Sequence, residues 1–251
     1  MRGLRFAVRA LMAVAWIFLG LLTIGFVFPF VGLSRRLWLK KQWSRVLLWI
    51  SGIDWRVCGE PIRSGPVLFA INHVSWLDIF VLNCARPTTF VAKSEIRSWP
   101  LIGWLAAGAD TIFIERGFRH AVHRVGLAMQ ARFLRGQAVG LFPEGTTSEG
   151  FDLLPFYANL FEPAIQSGVV VQPVALRFFH RGQRSSHAAF VGEQTLISNI
   201  WRVFSEGDVM IEMVFLQPSW NGQAPAPTRA ELARQTRQII RPALDAINQT
   251  G

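Results

Sequence analysis

Residues 10–33 contain no charged side chain, and this run limits the possible folds more than any other feature of the chain. At about 1.5 Å per residue, a helix of that length reaches about 36 Å, enough to cross the hydrocarbon core of a bilayer. Gly20, Gly25, Pro29 and Gly32 interrupt the run, and Pro29 lacks the N–H and the steric room that a helix interior needs. Both flanks are basic: Arg2, Arg5 and Arg9 precede the run, and Arg35, Arg36, Lys40, Lys41 and Arg45 follow it. The positive-inside rule is met best when both ends stay on the cytoplasmic side. Residues 35–50 then set Leu37, Trp38, Val46, Leu47, Trp49 and Ile50 among Lys and Arg at helical spacing, as in a helix lying in the headgroup layer. Residues 1–51 are therefore expected to form a membrane-associated two-helix motif that dips into one leaflet. A single transmembrane anchor is the rival arrangement.

Charge indicates what such a chain would meet. Lys and Arg outnumber Asp and Glu 26 to 16, a net charge of +10, so the expected partners are polyanions. Ten Trp and twenty Phe against one Tyr point to the membrane interface and anionic lipid. Trp also stacks on bases, so composition by itself leaves nucleic acid open. A chain that is 51% hydrophobic and 17% charged is apolar for a soluble protein and too charged for a multi-span transporter. Cys58 and Cys84 are isolated in sequence and read as reduced thiols in a cytosol-facing protein. His120-Ala-Val-His123 lacks the glutamate of a zinc-protease motif and reads as a basic helix face, so no metal site is expected.

From Gly52 onward, short apolar runs alternate with longer mixed stretches. Strands are expected at 55–58, 67–71, 89–92, 111–114, 139–142, 169–176, 188–191 and 209–215. Helices are expected at 76–85, 101–108, 119–135, 156–166 and 196–204. A last helix is expected to start at Thr228, with Glu231 completing a capping box and Pro242 interrupting it, after a linker over 218–227. The fold class is α/β: a single domain over 52–251 with a mixed, largely parallel central sheet flanked by helices, preceded by the two-helix motif.

Four polar clusters follow predicted strands, where such sheets gather function. The first is Asn72-His73-Val74-Ser75-Trp76-Leu77-Asp78. On one straight helix His73 and Asp78 would point about 140° apart, so they meet only if the chain turns between them. A strand-end histidine followed by an aspartate in the first helical turn supplies that turn. Asp78 can then hold one ring nitrogen and leave the other as a base, the His–Asp half of a hydrolase triad, with the substrate's own hydroxyl as nucleophile. Ser75 and Asp78 also fit a plain helix cap. The other clusters are Lys93, Glu115-Arg116-Gly117 and Pro143-Glu144-Gly145-Thr146-Thr147-Ser148. Parallel strands would bring all four to one edge, where Lys93 and Arg116 could hold a phosphate. The competing readings are a solvated Lys93, an Arg116 paired with Glu115 or Asp110, and a simple turn at Glu144-Gly145.

In its motifs the chain resembles the glycerolipid acyltransferases, the 1-acyl-glycerol-3-phosphate acyltransferases and their relatives. Asn72-His73 with Asp78 matches that family's N-H-x4-D block, and Phe113-Ile114-Glu115-Arg116 its F-I-x-R block. Phe142-Pro143-Glu144-Gly145-Thr146-Thr147-Ser148 matches F-P-E-G-T-x-S, and Gln172-Pro173-Val174-Ala175 the V-P-V-A-like strand. The likeness covers about residues 50–216. It implies that His73 is the general base, oriented by Asp78, and that the acyl donor is acyl-CoA or acyl-carrier protein, with no cofactor and no nucleic-acid partner. It further implies that Arg116, Glu144, Gly145 and Thr146, with Lys93 as a weaker candidate, bind the phosphate of lysophosphatidic acid, giving phosphatidic acid. The implied location is a bacterial inner membrane, with the catalytic domain on the cytoplasmic face. One departure stands out: where many members carry F-K-x-G, this chain has Phe156-Tyr157-Ala158-Asn159. A lyso-ornithine lipid or another lysolipid is the alternative acceptor, and a non-catalytic basic membrane tether is the reading from a different class.

Overall fold

The computed structural model describes residues 2–115 and 119–245. The chain opens with α1 (Arg2–Leu22), a π turn (Thr23–Val27) and a 3-10 turn (Phe28–Phe30), and returns as α2 (Leu33–Ser51). The reversal falls where Gly25, Pro29 and Gly32 make a regular helix costly. Then follow β1 (Ile53–Cys58), β2 (Val67–Ile71), α3 (Asp78–Ala85), β3 (Thr88–Lys93), α4 (Ile102–Gly108), β4 (Ile112–Ile114), α5 (Arg119–Leu134) and β5 (Ala138–Leu141). The chain continues with α6 (Glu162–Gln166), β6 (Val170–His180), β7 (Gln183–Arg184), α7 (Leu196–Ser205), β8 (Val209–Phe215) and α8 (Arg229–Asp245).

Among the described residues the strands form one sheet in the order β1-β8-β6-β2-β5-β3-β4, with β7 pairing β6. The strands from β6 to β4 run parallel, and β8 joins β6 antiparallel and carries β1 with it. The expected mixed, largely parallel sheet is therefore present. All five residues of β2, the central strand, are buried, because helices cover both faces of the sheet. The parallel strands send the chain ends after β2, β3, β4 and β5 to the same edge.

The structure corrects four expectations. Residues 188–191 form no strand: the Phe190 N–H is taken by the Val74 carbonyl and the Ala189 N–H by Ser186, so no ladder can form. Residues 156–166 are a 3-10 turn (Ala158–Leu160) and the short α6, because Pro163 can sit only at a helix start. Pro242 does not stop α8, which runs on to Asp245 with Ile240 and Leu244 buried beside it. Packing against the domain outweighs one missing backbone bond.

The fourth correction concerns α2. Instead of lying free in a headgroup layer, it packs its Leu47, Leu48 and Ile50 inward. Ala13, Leu48 and Ile50 share a core cluster with Phe69, Val81 and Ile211, so the boundary at residue 51 does not separate two cores. Lys40 Nζ donates to the Thr88 and Ala109 carbonyls (2.6 and 3.0 Å), and Lys41 Nζ to Ala85 (3.1 Å). Burial pulls the Lys40 ammonium down to about 8, with Asp110 acting in the opposite sense. The longest exposed apolar surface of the two helices lies on α1. Arg2–Phe30 is long and apolar enough to cross a membrane, and little of it is buried.

Candidate active site

The site starts where β2 leaves the sheet. The Asn72 side chain takes over the ladder: its Oδ1 accepts the Leu176 N–H (2.7 Å) and its Nδ2 donates to the Leu176 carbonyl (3.1 Å). The main chain is thereby free to turn, and the next residue, His73, projects at the sheet edge. Five residues on, Asp78 opens α3, where its carboxylate reaches back over the turn. Asp78 Oδ2 lies 2.7 Å from His73 Nδ1 and accepts the N–H groups of Val74 (2.8 Å) and Ser75 (3.0 Å). Asp78 Oδ2 thus holds the ring and closes the turn, while the expected helix cap is not formed, since α3 has Leu77 at its N-cap and no side-chain cap bond. The Ser75 hydroxyl makes no cap bond.

The Asp78 side chain is fully sealed, whereas the His73 side chain keeps 20% exposure. Asp78 therefore meets no water, and the ring remains reachable. With Nδ1 turned to the carboxylate, Nε2 is the nitrogen left for a substrate. The ring lies on Phe142 at 4.0 Å between centroids and 16° between planes, and Phe142 stacks on Phe90 in turn. The imidazole is held on one face and at one nitrogen.

The segment after β5 fixes the main chain of His73. Glu144 Oε1 accepts the His73 N–H (2.8 Å), and its Oε2 accepts that of Leu154 (2.9 Å). The Ser148 N–H donates to the His73 carbonyl (2.8 Å). Burial pushes the Glu144 carboxyl above its ordinary range, against the pull of its two N–H donors. Glu144 faces the protein rather than an open surface, so geometry makes it a positioning residue rather than a direct substrate contact. Gly145 follows at φ +69°, and a Cβ there would stand 2.7 Å from Tyr157 Cε2, so the turn requires glycine. Thr146 is exposed beside it.

Not every expected residue joins this cluster. Lys93 is exposed at the end of β3, with β5 between its strand and β2. Arg116 lies outside the described residues. The carboxylates considered for it have other partners: Glu115 faces Arg124 (3.2 Å) and Asp110 faces Arg132 (3.4 Å). Two supports went unread in the sequence. Asn199, buried in α7, accepts the Trp76 indole N–H (2.9 Å) and donates to the Ala189 carbonyl (2.9 Å). Phe190 then bonds Val74, which ties α7 and its preceding loop to the turn between His73 and Asp78. The only sequence signal for Asn199 is one amide on an otherwise apolar helix face.

A buried carboxylate on one imidazole nitrogen, with the other nitrogen open, is an arrangement able to take a proton from a hydroxyl. Comparison with known proteins agrees with that chemistry. The acyltransferase family model matches residues 54–177. The chain is 38% identical over 208 residues to a lyso-ornithine lipid O-acyltransferase from Pseudomonas aeruginosa, covering 82% of this chain and 78% of that one. It is 40% identical over 161 residues to a 1-acyl-sn-glycerol-3-phosphate acyltransferase from Neisseria gonorrhoeae, covering 63% of each. The crystal structure of the 1-acyl-sn-glycerophosphate acyltransferase PlsC from Thermotoga maritima shares the fold, with a TM-score of 0.66 at 20% identity over 98% of this chain and 97% of that one. The central sheet, the N-terminal apolar helix and these relatives agree: the chain belongs to the PlsC-like glycerolipid acyltransferase family and is an acyltransferase of the lysophospholipid type.

Proposed function

We propose that the protein transfers a fatty acyl group from acyl-CoA or acyl-carrier protein to the free hydroxyl of 1-acyl-glycerol-3-phosphate, giving phosphatidic acid. The observation that carries the chemistry is the 2.7 Å contact between His73 Nδ1 and Asp78 Oδ2. His73 Nε2 takes the hydroxyl proton as the oxygen attacks the thioester carbonyl. Asp78 steadies the imidazolium that forms. The tetrahedral intermediate collapses with loss of the thiolate, which receives the proton from His73. No acyl-enzyme and no cofactor are needed, because the thioester brings its own leaving group. A base of this kind contributes about 10²–10⁴ in rate.

In this reading Arg116 and the Gly145-Thr146 turn hold the acceptor phosphate, Lys93 stands at the outer edge, and Glu144 fixes the main chain that presents His73. The reaction takes place at a bacterial inner membrane, with the domain on the cytoplasmic face. The net charge of +10 suits an anionic surface and an anionic acceptor. One observation favours a second acceptor. Tyr157, at the position where many family members carry lysine, leans over Gly145. That exchange removes a cation from the acceptor side and suits a lyso-ornithine lipid, which has no phosphate.

Thiol release from acyl-CoA by purified protein, measured with lysophosphatidate, glycerol 3-phosphate or lyso-ornithine lipid, decides between them. The first reading expects the fastest release with lysophosphatidate. Preference for lyso-ornithine lipid selects the second, and no acceptor-dependent release with any of the three removes both.

A further inference from the structure

Three side chains outside the reaction point at one another. His180 closes β6, His187 follows β7, and Glu206 stands just past α7. One ligand atom from each lies within 4.8 Å of the other two. Glu206 Oε2 is 3.5 Å from His180 Nε2 and 3.6 Å from His187 Nε2. Both Nε2 atoms are buried, and neither has a hydrogen-bond partner among the described residues. Glu206 stands at ion-pair distance rather than hydrogen-bond distance, so their desolvation cost is only partly offset.

The spacing indicates what would offset it. Separations of this size are long for an N–H···O bond. They are close to the edge of a coordination tetrahedron: ligand atoms about 2.0–2.1 Å from a zinc-like ion stand about 3.3–3.4 Å apart. The two rings stack at 4.1 Å with 10° between their planes, and both Nε2 atoms face Glu206 Oε2. Binding one ion requires the rings to turn out of this parallel stack so that their planes meet at the ion. Arg2 pairs with Glu206 Oε1 (3.2 Å), the oxygen that does not face the imidazoles, and so orients the carboxylate.

We propose that His180, His187 and Glu206 form a site for one divalent transition-metal ion. Two imidazoles and one carboxylate match Zn(II) best, with the fourth position left to water. The site is separate from the His120–His123 pair. It joins the end of β6, the loop that carries His187 and the end of α7, and through Arg2 it reaches α1. The same loop bonds Val74 through Phe190, one residue from His73. A bound ion therefore braces the surface on which the catalytic turn rests. None of this depends on which lipid is the acceptor.

The test uses the full chain in detergent, stripped with chelator and titrated with Zn(II) by calorimetry. A parallel Co(II) titration reads the visible absorption of a four-coordinate ion. The expected result is one equivalent per chain, a four-coordinate Co(II) spectrum and a rise in Tm with Zn(II). His187→Ala and His180→Ala each remove a ligand, so each should weaken binding by more than the about 100-fold that loss of an outer support alone costs, and abolish the Tm rise. Exposed His123 serves as the control, and His123→Ala should bind as the wild type does. The wild-type titration needs no variant to fold. Absence of saturable Zn(II) binding by the wild type overturns the proposal. So does binding that both His180→Ala and His187→Ala leave unchanged.

Discussion

Asp78 carries an unusual share of the site for one side chain. A single oxygen receives the imidazole and two main-chain N–H groups, so charge, ring orientation and turn geometry are set together. Asp78→Asn can keep its carbonyl oxygen on the imidazole and on both main-chain N–H groups, because the other oxygen position has no partner, but it removes the negative charge that steadies an imidazolium. The expected outcome is a fall in kcat of about 10²–10⁴ with an unchanged circular dichroism spectrum. Glu144→Gln tests a different link. Each Glu144 oxygen accepts a backbone N–H, and a glutamine must turn an NH₂ group toward one of them. Stability should fall by about 1–3 kcal/mol in urea denaturation, and kcat should fall with it because the His73 main chain loses its anchor. The His73–Asp78 partnership was legible in the sequence, because its five-residue spacing makes sense only across a turn. The task of Glu144 was not. A carboxylate in a motif does not reveal which distant N–H groups it will meet, and both of its partners arrive through the tertiary fold.

The same distinction holds among the elements. β2 and β8 could be read to the residue: β2 is a continuous apolar run bounded by polar turns, and β8 is one broken only by Glu212. Residues 188–191 have a similar composition but give their backbone groups to Val74 and Thr147. Hydrogen-bond destination, which periodicity does not encode, decided the outcome. The basic residues of α2 misled for a related reason: Lys40 and Lys41 are charges that suit a headgroup layer, yet they cap carbonyls inside the protein. Beyond the reach of local pattern, three strands share one row of charges. Glu212 on β8 is fully buried and stands in register between Arg56 on β1 and Arg177 on β6, bonding both. Glu212→Ala leaves a buried guanidinium without its carboxylate and should cost about 3–5 kcal/mol in urea denaturation. A variant as stable as the wild type would show that the row contributes nothing to holding the antiparallel edge of the sheet.

At the scale of the whole molecule, α1 presents an exposed apolar face. Leu4, Val8, Leu11, Phe18 and Leu22 recur along one face of α1 and are exposed, as is Phe26 in the turn, and Trp104 on α4 and Trp201 on α7 are also exposed. Phe6 packs on Trp201, which fixes α1 to the domain at its N-terminal end. A surface of that kind, bordered by arginines, fits the interface of a bilayer. Phe18 and Phe26 are exposed, so with Phe18→Glu or Phe26→Glu the fold should persist while partition into anionic vesicles drops by about tenfold or more for each, given the cost of moving a charge into hydrocarbon. Unchanged co-sedimentation would locate membrane attachment elsewhere. Such attachment would place the sheet edge, and His73 with it, close to the lipid that supplies the acceptor. His73 as the base is the claim on which the rest depends. Its most direct test is the single-turnover rate of thiol release from acyl-CoA with a saturating lysolipid acceptor, wild type against His73→Ala. The account predicts that the variant still binds both substrates but loses at least about 10²-fold in rate. Release at a comparable rate from a folded His73→Ala protein would contradict it.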